Sequence, residues 1–205
     1  MKQKLTLRGS IIILTGVLFA AYAAYYAFVI IRDFQRSLQP EKIAIYALLV
    51  LLFGLLAGFA WTSEVKNFRF LEIRKRVMII VLLAIIAMKL RLIGNVIANL
   101  ALLSPQTILY GGSYFSTLAA LLLIFVFYTF ILRRLDFHPR TSVTLPAAAM
   151  IFFIAGLAFE AILFFGFGIG LEANSLRTMV SRSIFYLSFI GLSAYFLLPP
   201  PIPKQ

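Results

Sequence analysis

The chain has 205 residues, 62% of them hydrophobic and 13% charged, with a formal net charge of +12. A soluble domain carries about 45–50% apolar and about 25% charged residues, and a fold of this length has too little interior to hide such an excess. These proportions exclude an ordinary soluble globule and point to an all-α integral membrane bundle, with lipid in place of the missing interior.

Six apolar stretches are long enough to cross a hydrocarbon core of about 30 Å, which takes about 20 helical residues. They are expected at about 10–31, 43–61, 77–103, 114–132, 147–170 and 179–198. No repeat or linker divides them, so the chain reads as a single membrane domain.

The first span follows Lys2, Lys4 and Arg8, and Ala21-Tyr22-Ala23 looks like a small-residue cleavage site. Its apolar run is longer than a signal-peptide core, so an uncleaved helix is expected. Gly16, Ala20 and Ala24 recur at four-residue spacing and share one helix face. Small residues so placed let membrane helices pack closely. The alanine pair, in a six-span chain of this size, loosely resembles the substrate-binding subunits of energy-coupling-factor transporters. The resemblance implies partner docking through that face, and it covers no substrate-binding motif.

The second span follows Pro40 and carries Gly54 and Gly58, a second candidate packing pair. The segment Ser63–Arg76 is then expected to be a basic loop, with Lys66, Arg69, Arg74, Lys75 and Arg76. The third span, ended by Ser104-Pro105, is interrupted by Lys89 and Arg91. Neither flank alone could cross, so the stretch is either one tilted helix or a broken one. Arg91, Asn95 and Asn99 fall on one helix face, whereas Lys89 lies about 200° around from Arg91.

Gly111-Gly112 is expected to open the fourth span, and Pro139 and Pro146 to flank the loop before the fifth. The fifth span holds Glu160, the one acid within a span core. A buried carboxylate is either protonated or paired, and Arg91 is the expected partner. Gly166, Gly168 and Gly170 crowd its end as a candidate hinge, with Gly166 and Gly170 a third packing pair. The sixth span is stopped by Pro199, Pro200, Pro201 and Pro203. Arg182, one turn into it, is expected to snorkel to the interface.

Basic residues divide unevenly between the two sides. Twelve of the 19 fall at the termini and in the connections after spans two and four, five fall opposite, and Lys89 and Arg91 lie within a span. That asymmetry places both termini in the cytoplasm and points to the cell's inner membrane. It accounts for the net charge without nucleic acid and makes anionic inner-leaflet lipid the expected partner. The tyrosines at 25, 26, 46, 110 and 114 are expected at the outer interface, and Trp61 and Tyr128 at the inner one.

The chain has no cysteine and one histidine, His138. That composition excludes disulfides, thiolate zinc and cysteine nucleophiles, and argues against haem or a multi-histidine metal site. No cofactor is expected. No H-E-x-x-H or G-x-S-x-G motif and no pair of intramembrane acids is present, which lowers the prospect of an enzyme. The leading expectation is a small transporter, or the membrane subunit of a transport complex, for an anionic or zwitterionic solute. Its candidate residues are Lys89, Arg91, Asn95, Asn99 and Glu160. A non-catalytic assembly subunit comes next, docking other membrane subunits through the Ser63–Arg76 loop, and a lipid-acting enzyme or sensor third.

Overall fold

The structure, a computed structural model, describes residues 7–34, 40–63, 68–99, 104–132, 139–167 and 173–198. Among them there are six helices and no strand: α1 (Leu7–Phe34), α2 (Pro40–Thr62), α3 (Phe68–Asn99), α4 (Pro105–Leu132), α5 (Pro139–Gly166) and α6 (Ala173–Leu197). Each contains a stretch long and apolar enough to cross a membrane. The chain is thus an all-helical, multi-pass membrane protein.

Three prolines stand as the first residues of α2, α4 and α5. Proline suits that position because its fixed φ is already helical and its missing N–H would have no partner there. At α4 the start is also capped: Ser104 Oγ accepts from the Thr107 amide at 3.1 Å. Several expected boundaries therefore move. Gly111 and Gly112 lie inside α4, and Pro146 lies inside α5, near its beginning. Most of the expected Ser63–Arg76 loop is helix, because α3 begins at Phe68.

α3 is one unbroken helix through Lys89 and Arg91. Its earlier start shifts the apolar stretch to Ile73–Gly94, so the two cations lie toward the end of the crossing and not at its middle. Asn95 and Asn99 belong to α3, but their side chains lie outside the described residues. His138, Gly168 and Gly170 also lie outside them.

The helices form a closed ring in chain order, with α6 packed back against α1. Cross-contacts show that neighbours alternate in direction. α1 meets α2 through Gly16 with Trp61 and Tyr26 with Tyr46. Arg74 at the start of α3 donates to the Thr62 carbonyl at the end of α2. Ser113 of α4 reaches Glu160 of α5, and Glu160 reaches Arg182 of α6. Phe19 of α1 packs on Phe189 of α6, and Tyr22 on Phe185, which closes the ring antiparallel.

The half of the ring nearest the chain termini is filled mainly by apolar side chains. Phe19, Phe53, Phe153 and Phe189 are fully buried around its midpoint. Phe153 stacks on Phe189 at 5.1 Å, and Phe19 meets Phe189 edge-on at 5.3 Å, geometries that suit the ring quadrupole. Below them lie Leu56, Leu82, Leu121, Ile124 and Leu192, each buried. Tyr128, expected at the interface, is instead buried between Phe59, Phe127 and Phe196. Trp61 keeps an exposed position against Gly16. The opposite half, where α1 runs into α2, α3 into α4 and α5 into α6, holds the buried ion pair, whereas the buried hydroxyls of Thr15, Ser188 and Ser193 bond carbonyls of their own helices.

Candidate functional site

Glu160 is the centre of that half. It lies six residues before the end of the apolar stretch of α5, and Arg182 lies five residues into that of α6. At about 1.5 Å per residue, both groups sit about 7–9 Å inside the same edge of the bundle. Arg182 Nη1 donates to Glu160 Oε2 at 2.7 Å, and the carboxylate is 10% exposed. Glu160 is therefore paired, but with Arg182 in place of Arg91. The expectation that Arg182 merely snorkels is corrected by the same contact. The choice has a geometric cause: α6 packs directly on α5, whereas α3 packs on α2 and α4.

The second carboxylate oxygen is held by a chain of hydroxyls. Ser113 Oγ donates to Glu160 Oε1 at 2.7 Å. With its one proton directed at the carboxylate, Ser113 Oγ accepts from the Tyr186 hydroxyl, also 2.7 Å away. Thr117 Oγ1 donates to the Ser113 carbonyl at 2.8 Å and lies 2.9 Å from the Tyr186 hydroxyl. Ser113 and Thr117 are fully buried. An ionised carboxylate inside a membrane needs all of this, since each unmet lone pair would cost several kcal/mol of lost hydration.

Two glycines make these contacts possible. A Cβ on Gly156, one turn before Glu160, would come within 2.6 Å of the Tyr186 ring. A Cβ on Gly112, beside Ser113, would meet the Phe159 ring at 3.1 Å. Their missing side chains bring α6 and α4 close enough to α5 for hydrogen bonds to Glu160. Gly191 serves similarly where α6 meets Thr15 of α1. The expected packing positions behave differently from one another. Gly16 receives Trp61, Ala20 is half-buried and Ala24 is exposed. Among the described residues, Gly54 and Gly58 have no atom within 4 Å of an added Cβ, and Gly166 meets only Ile162 of its own helix.

Beside the ion pair lies a cavity of about 650 Å³ to which all six helices contribute. Lys89, Arg91, Glu160 and Arg182 line it. Lys89 Nζ sits 4.7 Å from the centre of the Phe185 ring and 5.2 Å from that of Tyr114. Ring faces attract cations, so this ammonium is held by aromatic walls. No carboxylate among the described residues is within ion-pair distance of it. Arg182 takes a similar place over Tyr110, at 5.6 Å. Tyr25, Tyr26, Tyr46 and Tyr114, expected as an interfacial belt, turn inward and form cavity wall with Tyr22 and Phe53.

Of the expected candidates, the structure thus brings Lys89, Arg91 and Glu160 to one cavity. Around Glu160 it adds Arg182, which was expected to snorkel, and Ser113, Thr117 and Tyr186, which sequence reasoning passed over. One signal was available: Ser113 and Thr117 stand four residues apart in an apolar run and so share a helix face.

The chain matches no family model, no curated protein and no solved structure.

Proposed function

We propose that this protein binds a small anionic or zwitterionic solute in the cavity between its six helices, as a transporter or as the membrane subunit of one. The observation that carries this reading is Lys89, a cation that lines an intramembrane cavity between aromatic rings, with no carboxylate among the described residues within ion-pair distance. Cations at such depth are costly, so a compensating anion is favoured there. Arg91 and Arg182 line the same space, and Glu160 is the one carboxylate there among the described residues, so their sum is net positive. Its volume, about 650 Å³, falls in the range of about 300–1,000 Å³ that small-molecule sites occupy. The excess of basic residues at the opposite end supports an orientation with both termini in the cytoplasm and the cavity in the outer half of the bilayer.

Thermal unfolding of the detergent-purified chain against a set of organic anions and zwitterions tests this. Benzoate, glutamate, methyl phosphate and glycine betaine span the chemistry. A ligand present at 100 times its Kd stabilises a fold by about 2.7 kcal/mol, enough for a clear rise in Tm. At least one anion is expected to raise Tm in the natural protein and to lose that effect in Lys89→Met. If no member of the set shifts Tm, the reading fails.

A second reading, an assembly subunit of a membrane complex, draws support from α2. Gly54 and Gly58 have nothing packed on them within the bundle, and Leu51 and Leu55 beside them are exposed. That face would accept a partner helix closely. A stoichiometric partner retained in mild detergent, and lost on Gly54→Leu, would favour it.

A further inference from the structure

We infer that the ligand of this cavity is an anionic amphiphile that enters sideways from the bilayer, between α2 and α3, and lays its charged head on Lys89. The inference rests on the binding function proposed above and names its substrate class.

Around the ring, α2 and α3 touch each other least. They are tied at the end where one runs into the other, by Arg74, which donates to the Thr62 carbonyl and lies over the Phe59 ring. Toward their other ends the cavity comes between them. Ile45 and Leu48 of α2 and Leu92 of α3 line that cavity, yet they are 37%, 39% and 41% exposed. Residues that both line a cavity and face outward mark its opening. Between α2 and α3 the exposed lining is aliphatic apart from Arg91, while on α6 the exposed lining residue is Thr178.

Its depth agrees with that reading. Ile45 and Leu48 lie five and eight residues into the apolar stretch of α2, and Leu92 two residues before the end of that of α3. At about 1.5 Å per residue the opening spans about 3–12 Å below the edge of the hydrocarbon. That is the depth of the upper acyl chains. A water-soluble solute gains nothing from a passage walled by leucine and isoleucine at that level, whereas an acyl chain crosses it without leaving an apolar medium.

The charges are placed for the head of such a molecule. Arg91 is exposed beside the opening, and Lys89, two residues and about 3 Å further in, holds its ammonium against Phe185 and Tyr114. Arg182 stands opposite, already paired with Glu160. An anionic head would thus pass Arg91 and settle on Lys89, with Phe53, Leu49 and Met88 left to cover the chain.

Native mass spectrometry of the full chain in a neutral detergent, with three probes, tests this. Lysophosphatidic acid carries both the charge and the chain, glycerol phosphate the charge alone, and lysophosphatidylcholine the chain without net charge. Lysophosphatidic acid is expected to bind at least tenfold more tightly than either of the others. Lys89→Met should abolish that preference and Lys89→Arg should keep it. Leu48→Trp, at an exposed position, should narrow the opening and slow association at least severalfold. Glycerol phosphate binding as tightly as lysophosphatidic acid would overturn the amphiphile and leave the anion-binding function standing. Equal binding of the two lysolipids, or an unchanged preference in Lys89→Met, would overturn the head-group seat. An unchanged association rate in Leu48→Trp would overturn the sideways route. Binding of none of the three would remove the proposal, and retained binding of another anion from the earlier set would show that the broader function survives it.

Discussion

The two halves of the bundle are built from the same six helices and solve opposite problems. Near the termini, the interior is closed mainly by rings and aliphatic chains, which contribute by volume. In the other half, a carboxylate, a guanidinium and three hydroxyls occupy a similar depth from the surface, and each contributes by having a partner. The contrast separates two ways of filling a membrane protein: shape is forgiving of similar shapes, and a polar network is forgiving of almost nothing.

Substitution should expose that contrast most sharply at the two centres. Removing the Phe189 side chain, Phe189→Ala, should cost about 3–5 kcal/mol by opening a cavity among Phe19, Phe53 and Phe153. Phe189→Leu should recover much of it. Thermal denaturation in detergent reads both. At the polar centre, Arg182→Met should cost about 3 kcal/mol, since it strands a buried carboxylate. There the rescue comes from removing the partner: Arg182→Met combined with Glu160→Gln should be more stable than Arg182→Met alone. If the double variant is no better, the pair is not the unit described here.

Smaller effects test how the network is held. Gly156→Ala should cost about 1–3 kcal/mol, because its Cβ would displace the Tyr186 ring. Thr117→Val should cost about 1 kcal/mol, the net worth of its buried hydrogen bond to the Ser113 carbonyl. The smallest change is expected on the outer face of α2. Gly54→Ala adds a methyl group where no atom lies within 4 Å, and it should shift stability by about 0.5 kcal/mol or less. A large loss at Gly54 in the isolated chain would mean that this face is packed after all.

The spans themselves were legible residue by residue. Whether a segment can cross a bilayer depends on its own length and apolarity, so each of the six stretches could be judged without the others. The prolines were legible only in part. Pro40, Pro105 and Pro139 mark helix beginnings, as their geometry requires, but Pro146 lies within α5. Near a helix start the groups freed by a proline can still find partners. Glycines misled in a different way. Four-residue spacing drew attention to Gly16, where Trp61 does approach closely, and to Gly54 and Gly58, where no described atom does, whereas the other close approaches occur at Gly112, Gly156 and Gly191, which stand at no such spacing in their helices. What matters at those positions is the bulk of the facing residue, Phe159, Tyr186 or Thr15, and that residue is distant in sequence.

The same distinction governs the site. That Glu160 needs a partner followed from its being an acid in an apolar run, and that Lys89 and Arg91 are exceptional followed from the same rule. Composition and charge asymmetry were enough for a multi-pass helical membrane protein with an expected orientation. Which cation meets the carboxylate, which hydroxyls complete it and where a cavity remains depend on the rotation of each helix about its axis. Helices apolar around nearly their whole circumference carry no stripe that says which face turns inward, because lipid and core are alike to a leucine. Only packing decides it, through close contact at a few small residues, and so Arg182, Ser113 and Tyr186 gather around Glu160 while Gly54 and Gly58 face away.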